Sequence, residues 1–280
     1  MITKLVWANE FGDALSKSST ISLKDLCDLL SNVQDNDHVI LKNEGCYTDL
    51  FSEWLYGRED EHCRDDKKLL SKWLMRSEEI DDSDYQLFCD LVRKKGRDDD
   101  LLMMIDVDEE NVLCVYDLAH YDRARDYQLS HLVKENEYYD VARASFRNLY
   151  LHEGIRRNIR TMKVPFQREV ELITKHLRAL NDSIAFWEGQ RKDGYVKSSK
   201  AFSIKTGVEC STENDRKSAD KLRFAFHTEK GDEIVIVCEL HTKLKFPDMN
   251  HKKQDRIYFH PPMEGVEQGR LLVAYIGEHL

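Results

Sequence analysis

Residues 233–246 read EIVIVCELHTKLKF, and their alternation decides the fold expected of the C-terminal half. In an extended strand, successive side chains point to opposite faces. Val235, Val237, Glu239, His241 and Lys243 then line one face, and Leu240, Leu244 and Phe246 the other. Comparable runs surround it: LRFAFHT (222–228), DRIYFH (255–260) and RLLVAYIG (270–277). Glu229-Lys230-Gly231-Asp232 reads as a tight turn between the first two. The polar loop PDMNHKKQ (247–254) and the segment PPMEGVEQG (261–269) supply the other links. Connections this short favour a four-stranded antiparallel meander.

Outward from the meander, the period changes to that of helices. In QREVELITKHLRALND (167–182), Val170, Ile173, His176, Leu177 and Leu180 fall on one stripe. A histidine on such a stripe reads as a hydrogen-bonded core residue. Further upstream, SSTISLKDLCDLLSNV (18–33), DDKKLLSKWLMRSEEI (65–80) and SDYQLFCDLVRKKG (83–96) carry caps and apolar spacing of helices. LLMMIDVDEENVLCVYDL (101–118) has two apolar runs around a polar turn and reads as a β-hairpin. Its Asp106 and Asp108 could hold a divalent ion, but no third carboxylate stands at a defined spacing. All four prolines follow a Tyr- and Arg-rich stretch at 119–163, so the domain change is expected around 140–165. The expected fold class is α+β: an acidic, mainly helical domain over 1–145, and helices followed by the sheet over 146–280.

Apolar residues at 41% and charged residues at 34% exclude a disordered chain. No apolar run approaches the roughly 20 residues that span a bilayer. The start, MITKLVWANEF, has no signal-peptide pattern. A cytoplasmic protein with no membrane partner is therefore expected. The seven cysteines form no CxxC pair, which argues for reduced thiols and against zinc. Net charge is −10, but residues 1–150 hold 19 basic against 33 acidic side chains and residues 151–280 hold 23 against 19. That asymmetry suits an acidic half that docks a protein partner and a C-terminal half that meets nucleic acid, RNA in preference to DNA.

If Ile257 and Phe259 enter the core beside Leu240 and Leu244, then Arg256, Tyr258 and His260 share a face with Glu239, His241 and Lys243. Glu239, His241 and His260 are the expected acid–base groups. Lys243 and Arg256 would clamp a phosphoryl group, and Tyr258 would stack on a base or donate a hydrogen bond. Ser211, Glu213 and His279 are weaker candidates, Ser211 reading as the cap of a helix across 213–221. No cofactor is expected, with a divalent metal left open. An exposed strand also carries such residues as a mere charge network, each cross-strand pair contributing roughly 0.2–1 kcal/mol.

The strings ECSTENDRKSADKLRF (209–224), CELHTKLKF (238–246), DRIYFHPP (255–262) and GRLLVAYIGEHL (269–280) carry a resemblance. Together they resemble an uncharacterised bacterial family ending in C-S-x-E, E-x-H-x-K, R-I-x-F and G-x-H-L motifs. FRNLYLHEGIRRNIR (146–160) and HLRALND (176–182) are similar to it too. The resemblance covers about 135 residues and implies a bacterial cytosolic protein. In layout and residue type the C-terminal half is also similar to RelE-type toxins, ribosome-dependent mRNA interferases, from which the large acidic N-terminal half departs. The function expected is a nuclease-like bacterial effector in phage defence or a toxin system, cutting RNA by acid–base chemistry. The alternative is a non-enzymatic subunit of a defence complex that binds a protein partner or nucleic acid.

Overall fold

The computed structural model describes residues 2–18, 21–33, 38–57, 63–96, 100–189, 194–213, 220–245 and 254–280. The chain divides into two compact units, Met1–Gln128 and Leu129–Leu280.

The first unit is built on a parallel sheet. Its strands are β1 (Thr3–Trp7), β2 (His38–Lys42), β3 (Glu78–Glu79), β4 (Leu101–Ile105) and β5 (Cys114–Val115). They stand in the order β3-β2-β1-β4-β5, every neighbouring pair parallel. The sequence reading is corrected here in two ways. The mainly helical domain has a sheet at its centre, and 101–118 is no hairpin, since Met104 pairs with Cys114 and Ile105 with Val115 in parallel register. LLMMI is buried at every position, as befits a strand covered on both faces.

Helices expected from sequence do form around this sheet, at Leu23–Asn32, Arg64–Arg76 and Asp82–Arg93. Ser22 and Asp81 cap the first and third by accepting the Asp25 and Asp84 amides at 3.2 and 2.9 Å. Leu26, Leu29, Leu30, Leu70, Leu74 and Val92 join Leu5, Val6 and Met103 in one core.

The second unit holds β6 (Leu149–Leu151), β7 (Cys210–Thr212), β8 (Arg223–His227), β9 (Glu233–Val237), β10 (Leu240–Leu244), β11 (Asp255–His260) and β12 (Leu271–Gly277). The meander β10-β11-β12 is antiparallel as expected, but it lies inside a five-stranded mixed sheet, β6-β12-β11-β10-β7. β6 adds in parallel to β12 at one edge and β7 antiparallel to β10 at the other.

EIVIVCELHTKLKF is not one strand. It breaks at Cys238-Glu239, and β8 and β9 pair only with each other, turning at Gly231 (φ +87°). That hairpin packs on the sheet instead of extending it. Phe226, Ile236 and Cys238 meet Leu272 and Ala274, while Leu222 and Phe224 meet Tyr258 and Tyr275. Val235 and Val237, expected on one strand face with Glu239, His241 and Lys243, lie on the separate hairpin and are 58% and 38% exposed.

The long helix Phe166–Asn181 buries Val170, Ile173, His176, Leu177 and Leu180. His176 is the hydrogen-bonded core residue expected, its Nδ1 lying 2.9 Å from Thr242 Oγ1. Burial pushes its imidazole down to about 4. Phe246, most of the 247–254 loop and most of the helix expected at 213–221 lie outside the described residues.

Candidate functional site

Antiparallel register puts His241 opposite Tyr258, Lys243 opposite Arg256, and Ser211 on β7 opposite His241. Directly opposed residues share a face, so four of the expected side chains and Ser211 converge. Glu213, one residue beyond β7, joins them. Its Oε2 accepts from Arg256 at 2.7 Å and lies 2.9 Å from Nε2 of His279, which follows β12. Arg256 also reaches the Tyr258 hydroxyl at 3.4 Å, and its Nε is a buried donor with no acceptor among the described residues. Burial alone would raise the Glu213 carboxyl; the His279 hydrogen bond and the Arg256 charge outweigh it and hold the carboxyl below its usual range.

Lys243 donates to Glu209 Oε1 at 2.7 Å, and Lys245 pairs with the other oxygen of the same carboxylate. These cations hold Glu209 low against the opposing effect of burial.

Deeper in the same face, Ser211 Oγ lies 2.9 Å from His241 Nε2. Burial, with Arg256 beside it, pushes the imidazole down to about 3, so the ring is neutral. The ring and the hydroxyl share one hydrogen bond, whose donor is set by the imidazole tautomer. His241 Nδ1 has no partner of hydrogen-bonding geometry among the described residues, although the Glu239 backbone lies near enough to act on the ring.

Several expected roles are corrected by this geometry. His241 and Tyr258 are 1% and 0% exposed, and Leu222 and Phe224 at the start of the hairpin pack with Tyr258. Neither can touch a nucleotide, and Tyr258 cannot stack on a base; its hydroxyl instead accepts the Leu280 amide at 3.3 Å. Ser211 lies in a strand rather than at a helix cap. Glu239 falls in the break between β9 and β10, where its carbonyl accepts the Glu213 amide at 2.8 Å and its charge helps burial raise the Tyr195 phenol. His260 turns to Tyr195 and Pro261, at 2.9 and 2.7 Å, and not to His241. The weaker candidates Glu213 and His279 are thus brought together with Arg256, while Glu239 and His260 are not.

In the first unit, the strand order reverses between β1 and β4, the kind of switch point where doubly wound sheets bind ligands. Asn9 and Glu10 follow β1 there, and Asp106 and Asp108 follow β4. Burial, helped by the charges of Asp108 and Glu10, raises the Asp106 carboxyl. Among the described residues no group of three His, Cys, Asp or Glu is arranged to hold a metal ion. No helix is long and apolar enough to cross a membrane among them. The chain matches no family model, no curated protein and no solved structure.

Proposed function

We propose that the protein is a nuclease-like bacterial effector that cleaves RNA by acid–base phosphodiester chemistry on the second unit's sheet, in phage defence or a toxin system. The observation that carries this reading is Glu213 bridging His279 and Arg256 on the face that also bears Lys243. A carboxylate that accepts from one imidazole nitrogen fixes the tautomer and leaves the other nitrogen as a base. His279, at 36% side-chain exposure, is the accessible imidazole of the set. Arg256, its side chain 14% exposed, brings a guanidinium to the same carboxylate.

In the reaction proposed, His279 Nδ1 takes the proton of an RNA 2′-hydroxyl as the 2′-oxygen attacks phosphorus. The 5′-oxygen leaves and is protonated by water, giving a 2′,3′-cyclic phosphate and a 5′-hydroxyl. Arg256 and Lys243 balance charge on the phosphoryl oxygens. Ser211 and His241 sit behind as a positioning pair. DNA, with no 2′-hydroxyl, is not cut.

The test is incubation of the whole chain with end-labelled single-stranded RNA and DNA, with and without EDTA. RNA alone should be cut, EDTA should not stop it, and His279→Ala should slow it about 100-fold or more. Glu213→Gln should slow it less, because it keeps the geometry and removes the charge. Cleavage of both polymers, or full activity in His279→Ala, would overturn the reading. The pairing of Lys243 and Lys245 with Glu209 favours a second reading, a non-enzymatic subunit. On that reading RNA binding falls in graded, salt-dependent steps as cations are removed, with no cleavage.

A further inference from the structure

The hairpin of β8 and β9 pairs with no other named strand, so each of its strands has an outer edge. The ladder fixes which backbone groups point there. The Thr228 amide donates to the Asp232 carbonyl, and the Cys238 amide to the Leu222 carbonyl, both at 2.9 Å. Hydrogen-bonded and open pairs alternate along an antiparallel ladder, so Ile234 and Ile236 bond toward β8. The amides and carbonyls of Glu233, Val235 and Val237 therefore point away from β8, along the outer edge of β9.

The two edges differ. Beside β8, the His227 amide donates to Glu267 Oε1 and the Glu229 amide to the Gly265 carbonyl, both at 2.9 Å. Thr228 also forms an antiparallel bridge with Val266. That edge is covered by its own chain. On β9, the backbone of Glu233, Val235 and Val237 has no hydrogen-bond partner among the described residues. The side chains of Val235 and Val237 are exposed beside it. β9 carries no proline, lysine or bulge of the kind that blunts an edge strand.

We infer that β9 pairs antiparallel with β9 of a second copy of this chain, joining two hairpins into one sheet across a two-fold axis at Val235. The open edge is self-complementary about that axis. Val235 faces Val235 of the partner subunit, Glu233 faces Val237 of the partner subunit, and each such pair exchanges two hydrogen bonds. The exposed valines of both copies then meet on one face. Charge selects this orientation. Arg223 stands opposite Val237 and His227 opposite Glu233. One row across the joined sheet therefore runs His227, Glu233, Val237 of the partner subunit, Arg223 of the partner subunit. Glu233 and an arginine flank one valine there, within reach of a long side chain. Within its own chain Arg223 has only an exposed contact with Asp220 at 3.7 Å. A parallel, in-register pairing would instead set Glu233 against Glu233 of the partner subunit, which is unfavourable. The pairing stands whether or not the sheet face cleaves RNA, since none of its residues belongs to the Glu213–His279–Arg256 set.

The test is sedimentation velocity of the full chain over a concentration series, with amide hydrogen exchange read residue by residue at its two ends. A dimer should form as concentration rises. The Glu233, Val235 and Val237 amides should exchange more slowly with it, while Ile234 and Ile236 stay protected throughout. Val235→Lys, a change at an exposed side chain, sets two lysines against each other on the axis and should weaken the dimer about tenfold or more. Glu233→Arg and Arg223→Glu should each weaken self-association. Mixing those two variants should restore a dimer, because each then meets the opposite charge. A monomer at every concentration, a dimer whose β9 amides exchange unchanged, or full dimerisation of Val235→Lys would overturn the inference. So would slow exchange of the three amides in a monomer, which would show the chain's own backbone filling the edge.

Discussion

Three buried titratable residues set how stability should respond to pH. His241 and His176 are pushed down to about 3 and about 4 by burial, from 6.5. Below pH 6.5 the unfolded chain therefore takes up protons that the folded chain refuses, and stability falls as pH falls. Each group should contribute about 1 kcal/mol of loss per pH unit between 6.5 and its folded value. Urea melts of His241→Gln at several pH values should show a shallower acid slope than the wild type. Glu169 works in the opposite direction. It is fully buried, neither oxygen has a partner among the described residues, and burial with the Asp255 charge pushes it up to about 8. The folded chain holds this proton between pH 4.5 and 8 when the unfolded chain has lost it, so stability declines as pH rises through that window. Glu169→Leu should become progressively more stable than the wild type from pH 5 to 8. A constant difference would show that Glu169 is not linked to that decline. His176 could be read from its stripe in the sequence. Glu169 could not, because on a helix projection a glutamate at a boundary position looks solvated.

At the scale of elements, the hairpin folded over the sheet explains the most. Leu222 is 3% exposed and packs with Tyr258 and Tyr275 where the hairpin begins. Leu222→Ala should cost about 3 kcal/mol in a denaturant melt, within the usual range for core truncation. A loss below about 1 kcal/mol would mean that the hairpin is not anchored there. The alternation in DRIYFH and RLLVAYIG made the meander legible, and with it the opposition of His241 to Tyr258 and of Lys243 to Arg256. The break at Cys238-Glu239 was not legible, because the apolar run crosses it without glycine or proline. β1 was missed for a related reason: a parallel strand buried on both faces loses the polar alternation that announces an exposed one. In the same way, the polar link between β4 and β5 imitates a hairpin turn although the strands it joins run parallel. The meeting of Glu213 with His279 depends on β7 pairing with β10, and β7 is only three residues long. A strand that short leaves little periodic signal.

At the scale of the molecule, both sheets are completed by chain that comes late within each unit. In the first, β1 needs β4, with Thr3 opposite Leu101. In the second, β6 needs β12, with Leu149 opposite Leu271. A ribosome adds roughly 5–20 residues per second. The LVW run of β1 therefore waits about 5–20 s for the strand that covers its second edge. Through that interval the nascent chain shows an open, apolar strand edge of the kind on which other strands can pair. The surplus of acidic side chains in residues 1–150 then acquires a use before folding as well as after it, since like charges keep neighbouring nascent chains on a polysome apart.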